Sequence, residues 1–357
     1  MFKRCGYLLA AIMLTGFSIS SVLAQTTRSK PLDFYGNNLS DWVTISGYNS
    51  DGSNFVWNIL RNENPSPPGP GQATIARPPW GFNQVPPSFG DFIAAFGDYN
   101  GNGTNDLVVW RPNANPAMNF YWIQPFPSGT PYLVEWGTQN EFVAGAEGDY
   151  DGDGKMDLTS IRDNGGVAQW WILNSSTNTI SIFNFGDFDF LVDNFYLPGA
   201  DYTGDGKDDP ATIRIAGNGQ VTWYVGNTNG VQISQVNWGN YNTDFIIPAG
   251  DYDGDGRADF MVWRAFGPGT NGVWYLRTNS GSIQYFYWGV PGGTAQSDFA
   301  LRSGDYDGDG RTDVAVWRPT TQTFWVLRSS SANPYNNPII QRWGNVDDVP
   351  LAGFGIY

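Results

Sequence analysis

The chain has 357 residues, 41% of them hydrophobic and 15% charged, with 16 Trp, 18 Tyr and 23 Phe; such a composition can bury a large core and argues against disorder. Its 34 acidic and 19 basic residues leave a net charge of −15, and a chain this acidic lacks the basic surface that general nucleic-acid binding needs. The absence of histidine excludes Ser–His–Asp and Cys–His catalysis, His-ligated zinc and haem, and all imidazole acid–base chemistry.

Residues 1–24 read as a secretory signal peptide. Lys3 and Arg4 form a positive start, an apolar run follows from Tyr7 to Leu14, and Val22-Leu23-Ala24 precedes Gln25 with the small or aliphatic residues of a cleavage site. The apolar run is short and interrupted by Thr15, Ser18, Ser20 and Ser21, which does not suit a stable membrane span. The single cysteine, Cys5, lies before this run, so a chain processed near Ala24-Gln25 has no thiol, no disulfide and a net charge of −17. The expected location is secreted or at the cell envelope.

An internal repeat organises residues 25–357. Asp251-Tyr252-Asp253-Gly254-Asp255-Gly256-Arg257-Ala258-Asp259 recurs nearly unchanged at 305–313 and 149–157, with weaker copies at 201–209 and 98–106 and a degraded one at 33–41. Successive starts lie 65, 51, 52, 50 and 54 residues apart, a period that marks a propeller, solenoid or array. Asp244-Phe-Ile-Ile-Pro-Ala-Gly leads into one loop and Phe260-Met-Val-Trp-Arg leaves it; Gly272-Val-Trp-Tyr-Leu-Arg and Ile283-Gln-Tyr-Phe-Tyr-Trp-Gly follow. Four short β-branched and aromatic runs per unit, with no sustained helical period, predict an all-β chain forming a single β-propeller of six four-stranded blades. The first loop lacks a complete strand before it, and Asp348-Val-Pro-Leu-Ala-Gly at the far end is a strand without a loop after it. The C-terminal strand is therefore expected to join the N-terminal blade and close the ring, which removes exposed sheet edges. The Pro-rich stretch 62–71 reads as a surface insertion in the first blade.

The nine-residue loop has the pattern of a metal site. Positions 1, 3, 5 and 9 carry side-chain oxygens, and position 7 offers its backbone carbonyl, while Gly at 4 and 6 permits a tight turn. Hard oxygen donors without nitrogen or sulfur select Ca²⁺. The candidate ligands are Asp149, Asp151, Asp153, Lys155 and Asp157; Asp251, Asp253, Asp255, Arg257 and Asp259; and Asp305, Asp307, Asp309, Arg311 and Asp313. Weaker sets are Asp201, Thr203, Asp205, Lys207 and Asp209; Asp98, Asn100, Asn102, Thr104 and Asp106; and Asp33, Asn37 and Asp41. Affinity should fall in that order as charged ligands are lost, giving about four to six ions. Twenty of the 34 acids lie in these loops, so the acidity reflects metal chemistry more than a basic partner. At tenfold excess over Kd each site adds about 1.4 kcal/mol, and four good sites about 5 kcal/mol, comparable to the stability of a domain.

The motif Asp-Tyr-Asp-Gly-Asp-Gly-x-x-Asp-(Phe/Leu/Val)-x-Val-Trp-Arg resembles the FG-GAP/VCBS repeats of secreted bacterial proteins and is similar to the calcium-bearing blades of integrin α-subunit propellers. The resemblance covers about residues 33–353. It implies a propeller with Ca²⁺ in the loop between the first and second strands of a blade. Integrin propellers have seven blades, so seven is an alternative to the six counted here. The family's roles include adhesion, carbohydrate binding and scaffolding, so the resemblance does not choose a ligand.

The aromatics repeat as well. Trp110, Trp263 and Trp317 hold one position after the loop; Trp57, Trp122, Trp171, Trp223, Trp274 and Trp325 recur on the next strand; Trp80, Trp136, Trp238, Trp288, Trp343 and Phe185 each precede Gly near the outer strand. Repetition in every blade predicts packing between blades. The loop tyrosines are expected in the core, and Arg111, Arg162, Arg214, Arg264 and Arg318 are expected to pair with repeat carboxylates. A ligand site should use residues that break the repeat, which nominates Phe185, Phe188, Phe190, Phe195, Tyr241 and Phe266 on the face opposite the loops. The favoured reading is a monomeric, non-enzymatic recognition or adhesion module for an extracellular glycan or protein. The alternatives are a structural scaffold of the cell envelope and a propeller glycosidase or lyase; of the eight acids outside the loops that do not precede an inner strand, only Asp187 and Asp189 are close in sequence.

Overall fold

The computed structural model describes residues 30–353 except 48–52, 64–74, 83–89, 113–117, 139–140, 142–144, 189–193, 249, 265–270, 291–296 and 303. Residues 1–24, read above as a signal peptide, and most of the Pro-rich stretch 62–71 lie outside the described residues. The chain is all-β, a β-propeller of six antiparallel blades, which decides between six and seven. Two single turns of 3-10 helix, Pro334–Asn336 and Leu351–Gly353, are the helical elements among the described residues.

Blade 1 contains Trp42–Ser46 and Asn54–Leu60, with Ile75–Ala76 and Pro79–Phe82 at its outer edge. Blade 2 runs Phe92–Ile93, Leu107–Arg111, Phe120–Gln124, Tyr132–Glu135. Blade 3 has Leu158–Asp163, Val167–Leu173 and Ile180–Asp187, with a bridge from Gly148 to Asp157 where its inner strand runs. Blade 4 runs Asn194–Ala200, Asp209–Ile215, Gln220–Gly226, Gln232–Asn240. Blade 5 runs Asp244–Ile247, Phe260–Arg264, Val273–Arg277, Ile283–Tyr287, and blade 6 Phe299–Ala300, Val314–Arg318, Thr323–Leu327, Ile339–Arg342. The C-terminal strand Val349–Pro350 supplies the inner strand of blade 1, pairing Ile45 with Val349 and Thr44 with Pro350. A proline is tolerated there because an inner strand is the edge of its sheet.

Tryptophan joins the blades. The Nε1 of Trp80, Trp238, Trp288 and Trp343 donates across to a main-chain carbonyl of the next blade, at Trp122, Tyr275, Trp325 and Asn58 respectively, over 2.9–3.3 Å. The last of these spans blade 6 to blade 1. Each of these residues also uses its own carbonyl, which accepts Nε1–H from a buried tryptophan of the same blade: Trp57, Trp223, Trp274 and Trp317.

One expectation is corrected. Trp122, Trp171 and Trp325 do not share a position with Trp57, Trp223 and Trp274. The latter pair with Ile45, Ile213 and Trp263 in register and are fully buried, whereas Trp122 and Trp325 pair with Val109 and Val316 and are half-buried. In blade 3 the buried position is Trp170, and Trp171 faces the other way. A one-residue shift moves a side chain to the opposite face of a strand. On that face the arginines lie over rings: Arg111 over Trp122, Arg162 over Trp171, Arg214 over Tyr224, Arg264 over Tyr275 and Arg318 over Trp325. The same guanidinium groups pair with repeat carboxylates, as expected: Arg111 with Asp91, Arg162 with Glu141, Arg264 with Asp244 and Arg318 with Asp298, at 2.5–2.7 Å.

Blade 1 breaks this rule. Its acid, Asp348, is buried and takes neutral donors: Thr44 Oγ1 at 2.7 Å, Ser46 Oγ, Asn58 Nδ2 at 3.2 Å and the Asn345 N–H at 2.7 Å. Because Asp348 precedes the closing strand, this carboxylate ties the two chain ends together. Asp348→Ala leaves buried Thr44 without an acceptor and Asn58 with only its remaining set, chiefly the Ser46 hydroxyl at 2.8 Å, and should lower the unfolding free energy by about 1–3 kcal/mol, measured by urea denaturation. A loss under about 0.5 kcal/mol would show that closure does not depend on it.

Candidate metal centres

All six acidic loops lie at one end of the propeller, where the inner strand of each blade passes to the second. Each loop is organised by two of its own carboxylates. In the blade 5 loop, Asp251 at position 1 accepts the N–H of Gly254 at 2.6 Å and of Gly256 at 2.9 Å, and Asp259 at position 9 accepts the N–H of Tyr252 at 2.9 Å. Gly254 and Gly256 have φ of +80° and +83°, a left-handed region that side chains disfavour. The tyrosines at position 2 (Tyr99, Tyr150, Tyr202, Tyr252 and Tyr306) are buried, as expected.

The loops are also joined to one another. The position 8 N–H of each donates to the position 1 carbonyl of the loop before it: Asn105 to Asp33, Met156 to Asp98, Asp208 to Asp149, Ala258 to Asp201, Thr312 to Asp251, and Ser40 back to Asp305, all at 2.6–2.8 Å. The side chain at position 7 lies over the position 4 glycine of the preceding loop, as Lys155 does over Gly101, Lys207 over Gly152, Arg257 over Gly204 and Arg311 over Gly254. Lysine and arginine side chains hold no acceptor, so their residues could ligate a metal only through the main chain.

Carboxylate oxygens converge in three loops. Those of Asp149, Asp151 and Asp157, of Asp251, Asp253 and Asp255, and of Asp305, Asp307 and Asp313 each lie within 4.8 Å of one another. These are the three copies with a carboxylate at each of positions 1, 3, 5 and 9. The donor set fits a hard divalent cation, because every side-chain donor is a carboxylate oxygen. Burial pushes Asp157, Asp259 and Asp313 up to about 7 and Asp209 and Asp106 up to about 6. The blade 2 loop satisfies its position 9 acid with an amide. Asn100 Nδ2 donates to both oxygens of Asp106, at 2.8 and 3.1 Å, while Asn102 accepts from Thr104 Oγ1. In the blade 1 loop, Asp33 accepts the N–H groups of Gly36 and Asn38 at 2.7 Å, Asn37 donates to the Asn62 carbonyl, and burial pushes Asp41 up to about 8. In the blade 4 loop, Thr203 accompanies Asp201, Asp205 and Asp209, with Asp201 accepting from Gly204 and Gly206 at 2.5 and 2.8 Å.

A second connection adds donors that the sequence reading missed. Ser175 N–H reaches Asp157 at 2.6 Å, and the hydroxyls of Ser175 and Ser176 reach Asp153 and Asp151 at 2.9 and 2.6 Å. Ser329 and Ser330 repeat this arrangement on Asp313, Asp309 and Asp307. The shared Leu-x-Ser-Ser at 173–176 and 327–330 is the signal that could have found them.

The proposed ligand residues fare unevenly. Phe185 is a correction: it is 5% exposed and packs in the core beside Trp170, because it fills the structural place of the outer tryptophan and its carbonyl accepts Trp170 Nε1. Phe188 packs half-buried against the same cluster. Phe195 and Tyr241 stack with centroids 6.0 Å apart, and Tyr241 is 51% exposed. Phe190, Phe266 and Asp189 lie outside the described residues, and Asp187 is paired with Arg214. Phe245 and Phe299, which begin inner strands at the end away from the loops, were missed; they are 53% and 42% exposed, against Trp263 and Trp317. Each follows an architectural aspartate, and a strand-entry aromatic resembles a core residue in sequence.

This is a propeller with acidic, glycine-turned loops between the first and second strands of its blades. Residues 201–262 and 251–316 match the FG-GAP-like repeat family. The chain carries FG-GAP-like repeats, and its six blades are consistent with an FG-GAP propeller. No curated protein matches the chain. Among solved structures it is similar to AofleA from Arthrobotrys oligospora at 11% identity, with 89% of this chain and 90% of that chain covered and a TM-score of 0.39, a likeness too slight to bear on function. No helix among the described residues is long and apolar enough to cross a membrane.

The raised carboxyls set a pH dependence for the metal-free protein. Between about pH 4 and 7 the folded chain holds protons that the unfolded chain has released, so stability is highest at the acid end and falls as pH rises through about 7. Metal-free protein should therefore melt at a higher temperature at pH 5 than at pH 7.5, and saturating calcium should reverse the order. The same order in both would contradict the assignment.

Proposed function

We propose that this is a secreted calcium-binding propeller that acts as a non-enzymatic recognition module, with glycans as its first ligand class. The reading rests on the division of the molecule into two ends. One end gathers the acidic loops; the other exposes Tyr241, stacked on the half-buried Phe195, together with Phe245 and Phe299. Asp149, Asp151 and Asp157 in blade 3, Asp251, Asp253 and Asp255 in blade 5, and Asp305, Asp307 and Asp313 in blade 6 would hold calcium. The ion supplies the positive charge that buried, clustered carboxylates lack. Asn240 and Asn242 flank Tyr241 in its turn, and an exposed ring beside amides suits a sugar, with its apolar face on the ring and its hydroxyls on the amides.

A scaffold reading is favoured by a different observation. Outer strands expose Ile180, Ile182, Ile283, Tyr285 and Tyr287, an apolar rim suited to lateral packing.

The test is a glycan array probed in calcium and after chelation. Binding that calcium removal abolishes, that Tyr241→Ala or Phe245→Ala weakens at least tenfold, and that releases no product is the expected result. Capture of envelope proteins without glycan binding would replace recognition by the scaffold. Turnover of a bound polysaccharide would overturn the non-enzymatic reading.

A further inference from the structure

The loops of blades 5 and 6 have the same carboxylates at the same positions, Asp251, Asp253, Asp255 and Asp259 against Asp305, Asp307, Asp309 and Asp313. They differ in their surroundings: Arg311 lies over Gly254 of the blade 5 loop and Leu39 over Gly308 of the blade 6 loop, and the converging oxygens are those of Asp251, Asp253 and Asp255 in the first and of Asp305, Asp307 and Asp313 in the second. Asp251 accepts the N–H groups of Gly254 and Gly256 and has no ammonium or guanidinium partner among the described residues. Asp305 accepts the equivalent pair from Gly308 and Gly310, at 2.6 and 2.9 Å, and in addition Lys30 Nζ at 2.7 Å. The lysine comes from the opposite end of the chain, 275 residues away.

Lys30 is held in place by its main chain. Its carbonyl accepts Asn105 Nδ2 at 2.8 Å and the Asp33 N–H at 3.1 Å. Leu32 N–H donates to Asn105 Oδ1 at 3.2 Å, and Ser40 Oγ donates to the Pro31 carbonyl at 2.7 Å. Residues 30–32 are thus anchored to the loops of blades 1 and 2, and the lysine side chain extends from that anchor to the loop of blade 6. Asp305 is 7% exposed at its side chain and Lys30 32%, so the ammonium reaches a sheltered carboxylate from the solvent side.

We propose that Lys30 is an internal cation that competes with a divalent metal for the blade 6 loop, so that this loop binds calcium more weakly than it would without the ammonium. The inference rests on the calcium reading above. Calcium entering among Asp305, Asp307 and Asp313 meets a like charge already paired to one of its ligands. Binding therefore requires the ammonium to leave Asp305 and swing into solvent, which its exposure permits while the anchored main chain stays in place. Filling of the blade 6 loop thus frees the Lys30 side chain.

The test is isothermal titration of calcium chloride into metal-stripped protein, comparing the wild type with Lys30→Gln and Lys30→Arg. In Lys30→Gln one site should tighten about two- to fivefold, the size expected for losing one partly exposed ion pair, with stoichiometry unchanged. Lys30→Arg should behave as the wild type. The gain should vanish when Asp307→Asn is added and persist when Asp253→Asn is added, which locates it at blade 6. Superimposable titrations for the wild type and Lys30→Gln, or a gain that survives Asp307→Asn, would overturn the proposal while leaving the calcium reading standing. No calcium uptake by either protein would overturn the calcium reading and this proposal with it. Lys30 is partly exposed and its main-chain anchors are independent of its side chain, so the glutamine variant should fold; an unchanged thermal melt in chelator checks this.

Discussion

Everything at the loop end of this propeller depends on carboxylates that are buried to organise the main chain. The acids at positions 1 and 9 draw backbone N–H groups inward and turn each loop tightly, and in the loops of blades 3, 5 and 6 three carboxylates are brought together. The same geometry creates a problem of like charge, because burial of several carboxylates within a few ångströms disfavours their ionisation. The loops meet it by different means. Blade 2 uses the Asn100 amide, blade 6 adds the Lys30 ammonium, and the loops of blades 3, 5 and 6 bring together donor sets suited to a divalent ion.

These loops are not independent. The ring of N–H to carbonyl bonds passes through the residue at position 1, whose carboxylate organises its own loop and whose carbonyl receives the next. A change in one loop is thus made against the backbone of its neighbour. At the blade level the tryptophans repeat this logic, each using its indole to reach the next blade and its carbonyl to hold its own. The two ends of the chain meet in blade 1, where repeat chemistry is most altered. The usual arginine is replaced by hydroxyl and amide donors around Asp348, and the closing strand carries a proline at the sheet edge.

Much of this was legible in the sequence because it repeats. Six copies of one loop pointed to six blades, the number the sheets then settled, and the phase of the chain ends identified Val349–Pro350 as the closing strand. The Arg–carboxylate pairs were visible for the same reason. What repetition could not supply was the face on which a side chain lies. Trp122 and Trp223 occupy adjacent registers in equivalent strands, and one residue separates a ring under an arginine from a ring in the core. Phe185 breaks the tryptophan pattern in letters but not in space. Phe245 and Phe299 follow the pattern in letters and yet lie exposed. Lys30 was illegible for a further reason: its partner is 275 residues distant, and nothing local distinguishes it from an ordinary surface lysine.

The central claim is that the loops are calcium sites on which the fold depends. The most direct measurement is bound calcium per chain, by elemental analysis of dialysed protein, together with thermal unfolding in calcium and in chelator. The account predicts four to six ions and a melting temperature that falls on chelation, with the three full-carboxylate loops accounting for the tightest sites. Protein without bound calcium and with an unchanged melting temperature would contradict it, leaving the acidic repeat as a turn motif held by its own hydrogen bonds.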